Sequence, residues 1–174
     1  YADSLVEMIR VFNNAFAYND LNIKINTDGP YLHFRDEMTS KYMIAYFQGE
    51  YLSQLKLINM ATTSYHVVND SLLAGNNVAS GDTIHIDFKE GNIKRIRIRG
   101  GAFGEFKPEN KNTEIDTTVF YGGEYLDYHI DEKLTFLSED AYMEYQDTRL
   151  SAGEIIANWD TNIMNAFLAN DEYP

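Results

Sequence analysis

Cysteine is absent from the 174 residues. This removes disulfide frameworks, thiolate metal sites and cysteine nucleophiles together. Basic residues are scarce, with 14 Lys and Arg against 27 Asp and Glu and a net charge of −13. Such a chain repels nucleic acid and anionic bilayers as a whole, so DNA or RNA binding is not expected and only local patches can attract anions. Long apolar runs are missing too. Stretches such as MIAYF, Met43 to Phe47, fall far short of the about 20 residues a membrane helix needs. Neither a phosphate-loop signature nor a dinucleotide-binding glycine motif with its following helix occurs, since Gly100-Gly101-Ala102-Phe103-Gly104 precedes no helical pattern. The chain opens at Tyr1 without an initiator Met or a basic, apolar leader, which reads as a processed or trimmed chain, and its length predicts a single domain over residues 1–174.

What is present is aromatic. Thirteen Tyr and ten Phe stand beside three Pro, and aromatic side chains suit a pleated, half-buried surface. The clearest segment is TIHIDFKEGNIKRIRIR, Thr83 to Arg99. Ile84, Ile86 and Phe88 share one face, Glu90-Gly91-Asn92 supplies turn chemistry, and Ile96 and Ile98 share a face afterwards. That pattern predicts an antiparallel hairpin with one side buried and Lys94, Arg95, Arg97 and Arg99 on the wet side.

The same pattern recurs at an offset of 41 residues. Phe47 falls on Phe88, Leu52 on Ile93, Leu55 on Ile96, Leu57 on Ile98, Ala61 on Ala102 and Tyr65 on Phe106. A looser copy carries Leu137, Ala141, Met143 and Tyr145 after a turn at Asp131-Glu132-Lys133, and a truncated one lies near the C-terminus in NWDTNIMNAFLA. The shared element is an apolar residue followed four positions later by Ala: Val11/Ala15, Leu57/Ala61, Ile98/Ala102, Leu137/Ala141. NN, NM, GG and ED stand just before the Ala. Gly-Gly within a strand marks a bulge or a close backbone approach, so Ile96 to Phe106 is expected to be one long strand bent at Gly100-Gly101.

Repeated hairpins of this length with bent strands predict a sheet that rolls along its length, as an elongated jelly roll or a β-solenoid. Asn26–Pro30, Leu73–Asp82 and Lys107–Asn112 read as loops. SLVEMIRVF and AGEIIANW fit amphipathic helices by spacing alone, and the repeat alignment favours strands there.

Four candidate chemistries compete with simple packing. Arg95, Arg97 and Arg99 share a strand face, and guanidinium forks match phosphate; the alternative is a solvated face paired with acidic neighbours. His33, His66, His85 and His129 form no zinc spacing. Asp127, Asp131, Glu132, Glu139 and Asp140 supply carboxylates for a carbohydrate-active enzyme on a jelly roll, although most fall at expected turns. Asn69-Asp70-Ser71 is a formal glycosylation sequon.

Three passages, DEMTSKYMIAYFQGEYLSQLKLINMATTSY, ASGDTIHIDFKEGNIKRIRIRGGAFGEF and AYMEYQDTRLSAGEIIANWDTNIMNA, resemble the OstA-like proteins of lipopolysaccharide transport. The small residue before a short strand is Ala141 after Glu139-Asp140, and the "D..L.A..I" pattern is Asp147, Leu150, Ala152 and Ile155. The resemblance covers most of residues 39 to 170. It implies an all-β, twisted, open jelly roll in the periplasm or outer-membrane-associated envelope of a diderm bacterium. It further implies a non-enzymatic role without cofactor or metal: an apolar interior that shields lipopolysaccharide acyl chains, and neighbouring domains of the same fold stacked by edge-strand pairing. The strands expected at an edge lie within residues 1 to 20 and 150 to 170. The groove-lining residues would be Phe47, Leu55, Leu57, Ala61, Tyr65, Ile84, Ile86, Phe88, Ile96, Ile98, Ala102, Phe106, Leu137, Ala141 and Met143, with a head-group phosphate at Arg95, Arg97 and Arg99. Strong acidity and many tyrosines depart from the family pattern. A groove wall and a closed core have the same sequence signature, so a structural or adhesive β-module without ligand stays open beside the transport reading.

Overall fold

The computed structural model describes residues 6–69, 71–109 and 115–168. Nine strands follow one another as a meander: β1 (Met8–Lys24), β2 (Tyr31–Gln48), β3 (Tyr51–Asn69), β4 (Leu72–Lys89), β5 (Asn92–Pro108), β6 (Val119–His129), β7 (Leu134–Tyr145), β8 (Thr148–Asn158) and β9 (Ile163–Phe167). Each pairs antiparallel with the next in chain order, and a single parallel bridge joins Lys24 to Leu72. No helix occurs among the described residues, so the ambiguous segments near the two termini resolve as strands where they are described.

The first five strands run 17 to 19 residues, about three times the usual length, because each is bent in the middle. The bend is the repeated dipeptide. Asn13-Asn14, Asn59-Met60, Gly100-Gly101 and Glu139-Asp140 all take left-handed backbone angles, with φ between 55° and 79°. Opposite each pair the register skips a single residue: Lys41, Asp82, Glu124 and Gly153. Two residues facing one is a β-bulge, and it bends the strand and raises its twist. Since the register also breaks at this place between β2 and β3, β4 and β5, and β6 and β7, the bulges form one crease from β1 to β8.

A single sheet cannot bury a face without a cover, and Leu57, Ile84, Ile98, Leu137 and Ile155 are completely out of solvent. The crease supplies the cover. It folds the sheet over so that inward side chains from both halves of the strands join one buried cluster. The half containing the β2–β3, β4–β5 and β6–β7 turns, here the lower half, contributes Met43, Leu55, Leu57, Ile84, Ile86, Ile96, Ile98, Leu126, Leu137 and Ile155. The upper half contributes smaller and more polar groups: Ala15, Ala61, Thr63, Tyr65, Asn77, Ala79, Ala102, Tyr121 and Ala141. The 41-residue repeat extends to a second irregularity, since Phe47 pairs with Leu52 and Phe88 with Ile93, each beside a register shift.

The expected loop at Leu73–Asp82 is instead the upper half of β4. Its small residues are there for clearance and contact. A Cβ on Gly75 would lie 2.8 Å from the Phe106 ring, and one on Gly81 2.4 Å from Ile98. Asn77 is hydrogen-bonded on both ends of its amide. Asn26–Pro30 is the turn region between β1 and β2, as expected. Lys107 and Pro108 close β5, whereas 110–112, like Asp70 of the sequon, lie outside the described residues.

Candidate functional site

The roll has an inner and an outer face, and alternation decides which residues reach each. Leu55, Leu57, Ala61, Tyr65, Ile84, Ile86, Ile96, Ile98, Ala102, Leu137, Ala141 and Met143 are buried in one cluster, with Phe88 and Phe106 packed against it. Phe47 is half-buried near the β2–β3 turn. Cross-strand pairs tie the set together, Leu57 with Ile84, Ile84 with Ile98, Ile98 with Leu126 and Leu126 with Leu137. Sequence repetition reached the odd strands well and missed much of the even ones: Met38, Met43, Ala79, Tyr121, Leu126 and Ile155 belong to the same interior. Period-2 alternation at Leu126 and Tyr128 was the available signal; at Met38 and Ala79 there was little, since the neighbours are polar or small.

Through the middle of the roll the two layers meet and exclude solvent, while the ends are uncovered. Ile9 and Val11 sit opposite the inward residues Ala45 and Met43 yet are 45% and 38% exposed. At the other end Met164, opposite the buried Ala157, is 51% exposed. Beyond these, β1 and β9 do not pair with each other. The sheet is therefore an open roll with apolar side chains showing at both ends.

The upper interior carries a hydrogen-bonded chain. Asn77 Nδ2 donates to Tyr65 Oη at 2.8 Å, and Tyr121 Oη donates to Asn77 Oδ1 at 2.7 Å. Burial pushes both phenols up, Tyr65 with further help from Tyr121 and Tyr128, so both remain protonated donors. Asp36, on β2, accepts from the backbone N–H of His66 at 2.8 Å and meets its Nδ1 at 2.9 Å. Thr63 Oγ1 is buried with no protein partner among the described residues.

On the outer face the basic row faces acid. Arg95 forms a two-pronged pair with Asp127, and Arg97 reaches Asp87 at 2.5 Å. Arg99 lies over the Tyr125 ring at 5.9 Å, and with Thr83, His85 and Arg97 it lines a shallow hollow. Burial lowers the pKa of His85, assisted by Lys56, Arg97 and Arg99. The row is thus separated from the interior by the thickness of the sheet. The five candidate carboxylates do not converge on one cleft: Asp127 is paired with Arg95, Asp131 with Lys94, Glu132 with His129, and Glu139-Asp140 form the crease of β7.

A creased, open roll of consecutive antiparallel strands of this kind is the LptA-type jelly roll, the architecture that the OstA-like passages imply. Among solved structures it is shared with LptH, the LptA-homologous periplasmic component of the conserved lipopolysaccharide transport device of Pseudomonas aeruginosa, at a TM-score of 0.58 and 12% identity over 79% of this chain and 85% of that one. The sequence matches no family model and no curated protein.

Proposed function

We propose that this chain is a non-enzymatic envelope module that takes the acyl chains of lipopolysaccharide or a related lipid on its inner face. In this reading it forms part of a periplasmic bridge or of an outer-membrane assembly protein. The observation that carries this is the apolar inner face running from Ile9 and Val11 on β1 to Met164 on β9 and left uncovered at both ends. Each methylene withdrawn from water contributes about 0.8 kcal/mol, so such a face holds a tail without catalytic groups. The fold shared with LptH supports the reading. Because the middle of the interior is closed around Leu57, Ile98 and Leu137, a tail enters by parting the two layers about the crease or by lying across the open ends.

Apart from the Lys24–Leu72 bridge, the outer edges of β1 and β9 carry no strand among the described residues, which suits strand addition by neighbouring domains of the same fold. A phosphate on the Arg95, Arg97 and Arg99 row would belong to a head group lying outside the sheet, and Arg99 with the His85 hollow is the part not held by a carboxylate among the described residues. Charge reversal at Arg99 that leaves lipid binding unchanged removes that element.

Native mass spectrometry of the protein purified from a diderm host tests the main reading. Adducts with the masses of lipopolysaccharide or its lipid portion are expected, and a clean unliganded mass contradicts it. The full burial of the central side chains favours a second reading, a β-module without ligand, and that module would give the clean mass.

A further inference from the structure

An interior built only to hold hydrocarbon has no use for unsatisfied donors, yet the upper half of this one has them. Thr63 is 1% exposed, lies between Met38 and Ala79 on the neighbouring strands, and its hydroxyl has no protein partner among the described residues. Burying a hydroxyl without a partner destabilises the fold, because the water it gives up is not replaced. Two positions along the same inner face, Tyr65 accepts from Asn77, and its own proton reaches no acceptor among the described residues. The second amide proton of Asn77, which pairs with Tyr65 across β3 and β4, is equally without a protein acceptor there. Three donors thus share one patch of the inner face, and alanines flank it at positions 61, 79 and 102.

We infer that Thr63, Tyr65 and Asn77 form a polar rail that receives the neutral oxygen acceptors at the base of an acyl chain, its ester or amide carbonyl, while the tail lies on the lower half among Leu57, Ile86 and Ile98. The inference rests on the lipid-binding reading and deepens it. Charge chooses among acceptors. Asp36 is buried close enough to raise the Tyr65 phenol further, and none of the buried residues of the interior is a Lys or Arg. A phosphate would meet that carboxylate with no buried Lys or Arg among the described residues to offset it, whereas a carbonyl brings only lone pairs.

Matched probes separate this from simple hydrophobic uptake: 6-O-dodecanoyl glucose and 6-O-dodecyl glucose, titrated calorimetrically below their micellar concentrations, differ only by the carbonyl. Wild-type protein is expected to prefer the ester by about five- to tenfold, the worth of one or two hydrogen bonds. Thr63→Val and Tyr65→Phe should bring the ester-to-ether ratio close to one, and Thr63→Val should melt no lower than wild type because it removes a hydroxyl without a partner. Equal affinity of wild type for both probes, or a preference that survives both substitutions, overturns the rail while leaving the lipid reading standing. Absence of binding by either probe overturns both.

Discussion

The Tyr121 hydroxyl meets Asn77 Oδ1 at 2.7 Å from the far side of an intervening strand. Tyr121 is on β6 and Asn77 on β4, and Gly104 of β5 lies between them, paired with both Tyr121 and Ala79. A Cβ on Gly104 would come within 2.1 Å of the tyrosine ring. The glycine is therefore the floor on which the ring lies, and the hydrogen bond depends on it.

Gly104→Ala is expected to lower the unfolding free energy by about 1–3 kcal/mol through overpacking. Tyr121→Phe is expected to cost about as much, by leaving the buried amide oxygen of Asn77 without its donor. Urea denaturation measures both, and combining them should cost less than their sum because each removes the same contact.

The crease offers a stabilising change. Met60 is 83% exposed and holds φ at 55°, a conformation that costs a residue with a side chain about 1–2 kcal/mol. Met60→Gly relieves that strain against a smaller loss to chain entropy, so thermal stability should rise, by about 0.5 kcal/mol or more. Gly100→Ala should do the reverse, since its added Cβ would lie 2.5 Å from the Asp82 carboxylate at φ 79°. A drop in stability for Met60→Gly contradicts the strain assigned to this position.

How far the sequence reaches is visible in this crease. The dipeptides NN, NM, GG and ED share no chemistry, and only GG announces a bulge; their common place before an alanine in each repeat is what marked them. Ile84, Ile86, Ile96 and Ile98 were legible because period-2 alternation on two strands joined by a short turn leaves one register that buries both sets. The upper half of β4 was not, since Gly75, Asn77 and Ala79 have the composition of a loop until Phe106, Tyr65 and Tyr121 arrive from other strands to cover them. The hydrogen-bonded chain joins residues 12 and 44 positions apart, a relation set by the fold and invisible to local pattern.

Acid should act partly through the Arg95 pair. Burial pushes the Asp127 carboxyl up, but the Arg95 fork and then His129 outweigh it and hold the pKa below the usual carboxylate range. A depressed carboxylate stabilises the fold above its unfolded value of about 3.9, and that contribution is lost as pH falls through the lower folded value. Both partners are partly exposed, which limits the effect to about 1 kcal/mol. Asp127→Asn should be less stable than wild type at neutral pH, and the gap should close at the acid end of a pH series of denaturation curves.

The outer edges of β1 and β9, open among the described residues but for the Lys24–Leu72 bridge, predict reversible association of the chain with itself. Sedimentation equilibrium at rising concentration should show growth beyond the monomer, weakened by Ile9→Lys and Met164→Lys at the two open ends. A strict monomer for the wild-type protein, alone and with its flanking sequence, contradicts edge pairing.

The central claim is that lipid lies inside the crease, and a photoreactive amino acid placed in turn at Leu57, Ile98 and the outward-facing Tyr42 and Ser138 tests it in cells most directly. Crosslinks to lipopolysaccharide should form from Leu57 and Ile98 and be absent from Tyr42 and Ser138. Equal labelling at all four positions, or none at Leu57 and Ile98 in a protein that is folded and exported, would contradict the account.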